Sequence, residues 1–151
     1  MKMDKSVKLY DIAAFEDANF WIVKLLPFDE NDRKDSDRII AYQDTCIKNN
    51  IFGMGWQYEG IFDKSIELNE DNKKKFLEKY GKADGLEKAL NSYIKIKKGD
   101  FVLTRLKNSH IYIGRVSEPA KYNSDKVDGA ENHLSWYCRV EKWVEFENVI
   151  D

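Results

Sequence analysis

Cysteine, proline and histidine are scarce in this chain, with two of each among 151 residues. The cysteines, Cys46 and Cys138, stand far apart and in no CxxC spacing. That argues against a disulfide framework and predicts ordinary buried thiols in a reducing, cytoplasmic compartment. The histidines, His110 and His133, share no metal-ligand spacing with either cysteine, so no zinc site is expected. No apolar run approaches the roughly 20 residues a membrane helix needs. The opening MKMDKSVKLYDIAAF lacks the apolar core and small residues of a secretory signal. Gly-rich phosphate loops, nucleophile elbows and HExxH are absent from the sequence. His133 near Asp128, Glu131 and Ser135 is the nearest thing to an acid/base cluster, and a polar surface loop explains it more cheaply. The expectation is a binding module without cofactor, not an enzyme.

What is present is charge and aromaticity. Hydrophobic residues are 42% and charged residues 34%, which is globular, and the length suits one domain with a real core. The net charge of -2 speaks against a general nucleic-acid coat protein. The charge is segregated, however, with lysines at 73–75, 95, 97 and 98 and acids at 29–37 and 67–71, so the sum is a poor guide to any one face. Aromatic residues reach 13%, with four Trp and eight Tyr. They either fill the core or line a site.

In order, residues 1–19 read as a leader that packs on the body. Residues 20–151 read as a single domain, whose abrupt carboxyl end suits the amino-terminal part of a longer protein as well as a natural end. Phe20 to Leu26 is a short apolar run ended by Pro27, a buried strand by length. The polar stretch 28–36 reads as a loop with Asp35 or Ser36 as N-cap of a helix over 37–49. IFGMGW (51–56) follows, with two glycines in a turn that lets backbone approach a ligand. Residues 72–80 and 85–94 have helical periodicity. KKGDFVLTR gives a Gly99-Asp100 turn and a strand over 101–104, and a second strand covers 111–116. Residues 120–135 read as a polar surface loop. WYCRVEKWVEF (136–146) alternates as a closing strand, or two, with a slip near Lys142 that predicts a bulge or bend.

This order of FWIVKLLP, helix, GMGW, helix, KKGDFVLTR, YIGRVSEPAKY and CRVEKWV resembles the PUA-like superfamily, most closely its EVE and YTH branches. The likeness covers roughly residues 20 to 146. It is one of pattern: KGD and IGxV are each weak alone and moderately specific together with the terminal RVEKW. The resemblance implies an α+β fold, a curved mixed β-barrel flanked by helices. It also implies nucleic-acid binding with one base lifted out and held by aromatic side chains. Such domains occur free-standing and as readers in modification-dependent restriction systems, which would add a fused or associated nuclease or NTPase as partner.

A base-holding site needs rings for stacking, polar groups for the base edge and cations for phosphates. Trp56 matches the family's post-helix tryptophan and is the first choice for a wall. Gly53, Met54, Gly55, Gln57 and Tyr58 are its neighbours, and Trp136 and Trp21 are further candidates. Trp136 borders a polar loop and is expected to be partly exposed, whereas Trp21 and Trp143 suit the core. Asp29 or Asp44 is placed as acceptor for an exocyclic amine, against the plainer reading of a solvated carboxylate. Lys95, Lys97, Lys98, Arg105, Lys107 and Arg115 are the phosphate candidates, and Lys73 to Lys75 suit a helix surface. DNA is favoured over RNA only by the carboxyl end. A small-molecule or protein-interaction domain, with the acidic strip at 29–37 meeting a basic partner, is a third class that the charge leaves open.

Overall fold

The computed structural model describes residues 18–27, 30–55, 62, 64–80, 85–124 and 134–146. Among them lie four helices, α1 (Glu30–Arg33), α2 (Ser36–Asn49), α3 (Glu70–Tyr80) and α4 (Leu86–Lys95). Six strands accompany them: β1 (Phe20–Ile22), β2 (Ile51–Met54), β3 (Phe101–Arg105), β4 (Ile111–Tyr122), β5 (Trp136–Val140) and β6 (Val144–Glu145). The fold is mixed α+β. Strand order is β1-β3-β4-β5-β2, with β6 also on β4. Among the described strands only β1 and β3 run parallel, and the helical crossover between them is what a parallel pair requires.

The expected closed barrel is not formed by the described strands, because β1 and β2 end the path without pairing each other. β1 has only three residues and β2 only four, roughly 10–13 Å each, too little edge to close a barrel. Curvature comes instead from β4. Its pairing with β5 shifts register between Val116 and Glu118 and again between Glu118 and Lys121. Such bulges bend a strand and raise its twist, and Pro119, which has no N–H to give the ladder, sits within the second of them. The stretch after Pro119 is therefore not wholly loop. Strand β4 continues to Tyr122 because Lys121 pairs with Tyr137 and Tyr122 with Trp136. The slip at Lys142 is a true break, and β5 and β6 are separated by residues 141–143.

Alternation along the strands gives the sheet two faces. Val102, Val116, Ala120, Tyr122, Trp136, Cys138 and Val140 enter the main core, with Phe76 of α3 and Leu86 and Leu90 of α4 packed on it. Phe101, Ile113 and Val144 form a small second cluster. Both cysteines are buried and free, and burial pushes the Cys46 thiol up to about 12 and raises that of Cys138 as well.

Two polar side chains hold the layers in place. Asp35 caps α2 by accepting from the N–H groups of Asp37 and Arg38. The helix ends at Asn50, in the left-handed conformation (φ 55°, ψ 48°). The Oδ1 of Asn50 accepts from Trp143 N at 3.1 Å, and its carbonyl accepts from Val140 N at 2.9 Å. Asn50 thus joins the end of α2 to the β5–β6 break. Asn50→Ala should cost about 2 kcal/mol, the sum of left-handed strain and a lost hydrogen bond. Asn50→Gly keeps the conformation and should cost about half as much, which urea unfolding of the two variants checks.

Candidate functional site

The GMG segment does not make the turn expected of it. Ile51–Met54 is a strand paired antiparallel to β5, with Gly53 opposite Tyr137 and Met54 opposite Trp136. A Cβ on Gly53 would lie 2.3 Å from the Trp136 carbonyl oxygen and 2.9 Å from the Tyr137 Cα. The side chain is missing there so that two strands can approach, and that side of the glycine is filled by protein.

At the end of β2 three elements meet in register, Met54 beside Trp136 and Trp136 beside Tyr122. Trp136 is fully buried, not part-exposed as its place after a polar stretch suggested. Its ring meets Tyr122 at 5.4 Å, Phe76 at 5.5 Å and Phe62 at 6.0 Å, all edge-on. Phe62 in turn lies 5.0 Å from Tyr122. Such edge-to-face contacts add roughly 0.5–1.5 kcal/mol per pair beyond burial. The tryptophan was expected to border solvent, but the strand pairing of 120–122 turns its ring inward.

A polar frame closes around this aromatic corner. The Ser135 N–H and Oγ both donate to the Met54 carbonyl, at 2.8 and 3.2 Å. The Asn123 N–H donates to the Ser135 carbonyl and its side-chain amide to that of Leu134. Asn123 and Ser135 are fully buried. Against this order, Trp136 Nε1 is buried with no hydrogen-bond partner among the described residues, an omission worth roughly 1–3 kcal/mol. Gly55 ends the described part of this corner. Trp56, Gln57 and Tyr58 follow it directly in the chain and lie outside the described residues, as do Asp29 and His133.

Trp21 is held elsewhere. Its indole N–H donates to Asp100 Oδ2 at 2.9 Å, and the same oxygen accepts from Lys97 N at 2.8 Å. Gly99, at φ 94°, makes the turn possible. Trp143 is buried and donates to the Ile51 carbonyl. Asp44 is exposed on α2.

The phosphate candidates fall into two groups. Lys95, Lys97 and Lys98 are exposed at the start of β3, where the Arg115 guanidinium lies over the Phe101 ring at 5.6 Å. Arg105 and Lys107 are exposed at its far end, about 13 Å further along the strand.

A third cationic group was missed. Lys121 and Arg139 each sit 5.4 Å from the centre of the Tyr137 ring, and Glu118 bonds Lys121 at 2.8 Å. The Lys121 hydrogen bond, helped by the charges of Lys121 and Arg139, holds the Glu118 carboxyl below its usual range. The signal was the alternation of EPAKY against YCR, hidden because 120–135 read as loop.

A family model for a domain of unknown function, DUF8426, matches residues 33–150. The chain belongs to this family. No curated protein and no solved structure matches it. The DUF8426 match takes in GMGW, the β3–β4 hairpin and β5, and begins after β1 and Trp21. The aromatic corner is therefore inside the family's span and the Trp21–Asp100 bond joins a flanking strand to it.

Proposed function

We propose that the domain is a PUA-like, EVE/YTH-like nucleic-acid reader that takes an extruded and modified DNA base at the aromatic corner. In this reading it serves as the targeting module of a modification-dependent restriction system. The observation that carries it is the convergence at Gly55. A fully buried ring floor and a polar frame lie where the chain enters Trp56-Gln57-Tyr58. The one parallel pair among the described strands, β1–β3, and the bulged β4 suit a curved mixed sheet like that superfamily's, though the described strands leave it open.

The energetics are consistent. Stacking on one aromatic contributes roughly 1–3 kcal/mol per base, enough to offset the few kcal/mol of unstacking only with phosphate contacts added. Lys95, Lys97, Lys98 and Arg115 supply these on one side. A methyl group on the base contributes only about 1 kcal/mol, roughly fivefold in affinity.

Fluorescence anisotropy with methylated, hydroxymethylated and plain duplexes, and with matched RNA, tests the reading. One modified duplex should bind at least about fivefold more tightly than the plain one. Trp56→Ala should weaken that binding about 5- to 100-fold. Lys97→Ala with Lys98→Ala should weaken all duplexes alike and reduce the salt slope by about 2. Equal, weak binding to every duplex would sink the proposal, and preference for RNA would move it to the RNA-reading branch.

A further inference from the structure

The β3–β4 turn carries a cavity separate from the aromatic corner. A cleft of about 530 Å³ is lined by Asn108, Ser109, His110, Ile111, Glu145 and Phe146, within the range of small-ligand sites. It lies at the start of β4, whereas the aromatic corner lies at its end. They stand at opposite ends of this twelve-residue strand, up to roughly 35 Å apart before the bulges shorten the path. No single base reaches both.

The cleft is held in shape by its own backbone. Leu106 N donates to the His110 carbonyl at 2.8 Å and Ser109 N to the Leu106 carbonyl at 2.9 Å, with Ser109 at φ 72°. Asn108 Oδ1 accepts from His110 N at 3.0 Å, which leaves the Asn108 amide hydrogens to donate. His110 Nδ1 meets Glu145 Oε1 at 2.5 Å. That contact orients the ring and, in the neutral imidazole, leaves Nε2 as an acceptor. Glu145 is fixed in turn by strand pairing with Tyr112.

Beside these polar groups stand two large apolar side chains that are unusually open, Ile111 at 37% and Phe146 at 38% exposed. Arg105 pairs with Ile111 across the hairpin, and Lys107 is exposed in the turn. The cleft therefore offers a π-face, an adjacent donor and acceptor, and two cations on its shoulder. A donor and an acceptor side by side match the edge of a nucleobase, the ring matches its face, and the cations match a phosphate.

We propose that this cleft binds a nucleoside monophosphate unit, with the base against Phe146 and Ile111 and its edge on Asn108 and His110. The phosphate lies towards Lys107 and Arg105. The unit is either a free mononucleotide or an unpaired residue of a strand. This inference does not rest on base reading at the aromatic corner.

Isothermal titration of the full chain with deoxyadenosine monophosphate, deoxyadenosine and inorganic phosphate decides it. The monophosphate should bind at least about fivefold more tightly than either part alone. Phe146→Ala should weaken it at least about fivefold, and Lys107→Ala should remove most of its advantage over deoxyadenosine. Phe146→Leu, which keeps apolar bulk, guards against a folding effect and should weaken binding nearly as much. Nucleotide binding that Trp56→Ala abolishes and Phe146→Ala leaves intact would belong to the aromatic corner and would overturn the proposal. Tighter binding of a dinucleotide than of the monophosphate assigns the unit to a strand, and equal binding assigns it to a free nucleotide. No saturable binding, phosphate alone binding as well as the nucleotide, or binding indifferent to both Phe146 variants would overturn the proposal.

Discussion

Trp136→Ala should lower the unfolding free energy by about 3–5 kcal/mol, the usual loss for a large buried aromatic. The ring is fully buried and touches Tyr122, Phe76 and Phe62 edge-on, so truncation leaves a cavity where β4, β5 and α3 meet. For a domain of this length the melting temperature should fall by roughly 10 °C. Trp136→Phe isolates the indole N–H. It keeps an aromatic ring in the cluster and deletes a donor that has no partner among the described residues. Its smaller volume costs stability, but removing an unsatisfied buried donor offsets part of that. A net loss within about 1–2 kcal/mol is expected. Urea unfolding of both variants measures the pair. A loss below about 1 kcal/mol for Trp136→Ala would mean that the ring does not anchor the core.

Gly53→Ala is the second large effect. The added methyl meets the Trp136 carbonyl oxygen at 2.3 Å, a Leu134 methyl at 2.8 Å and the Tyr137 Cα at 2.9 Å. Two of these are backbone atoms of the partner strand, which cannot step aside without breaking the β2–β5 ladder. Overpacking of this kind costs about 1–3 kcal/mol, and the upper end is expected here. Gly114→Ala makes the contrast. Its obstacles are Val140 Cγ1, Cβ and Cγ2 at 2.8–3.0 Å, none as close as the 2.3 Å to a carbonyl oxygen at Gly53, so the loss should be smaller. If Gly114→Ala proved the more damaging of the two, the close approach of β2 to β5 would not be the tighter constraint.

The glycine shows why some of this was legible in the sequence and some was not. GMG reads as an unusual backbone, and a turn is the commonest reason for two glycines in three residues. Gly53 has the other reason, a neighbour too close for a side chain, and that neighbour lies more than 80 residues away in sequence at Trp136 and Tyr137. Local cues did better where the cause was local. Asp35 caps α2, Gly99 takes positive φ, Asp100 bonds the Lys97 N–H, and the alternation breaks near Lys142. The polar run after Pro119 misled, because Lys121 and Tyr122 are strand residues only through their partners on β5. The six phosphate candidates were chosen by charge alone, and charge cannot tell that β3 divides them or that Lys121 and Arg139 gather over Tyr137.

Whether a base leaves the duplex for the aromatic corner separates base reading from simple backbone binding. A duplex carrying 2-aminopurine next to the modified base reports this directly, since its fluorescence rises when a neighbouring base unstacks. Saturating wild-type protein should raise the signal severalfold, and Trp56→Ala at concentrations that still saturate the duplex should not. An unchanged signal with wild-type protein fully bound would contradict base extrusion and leave only backbone binding.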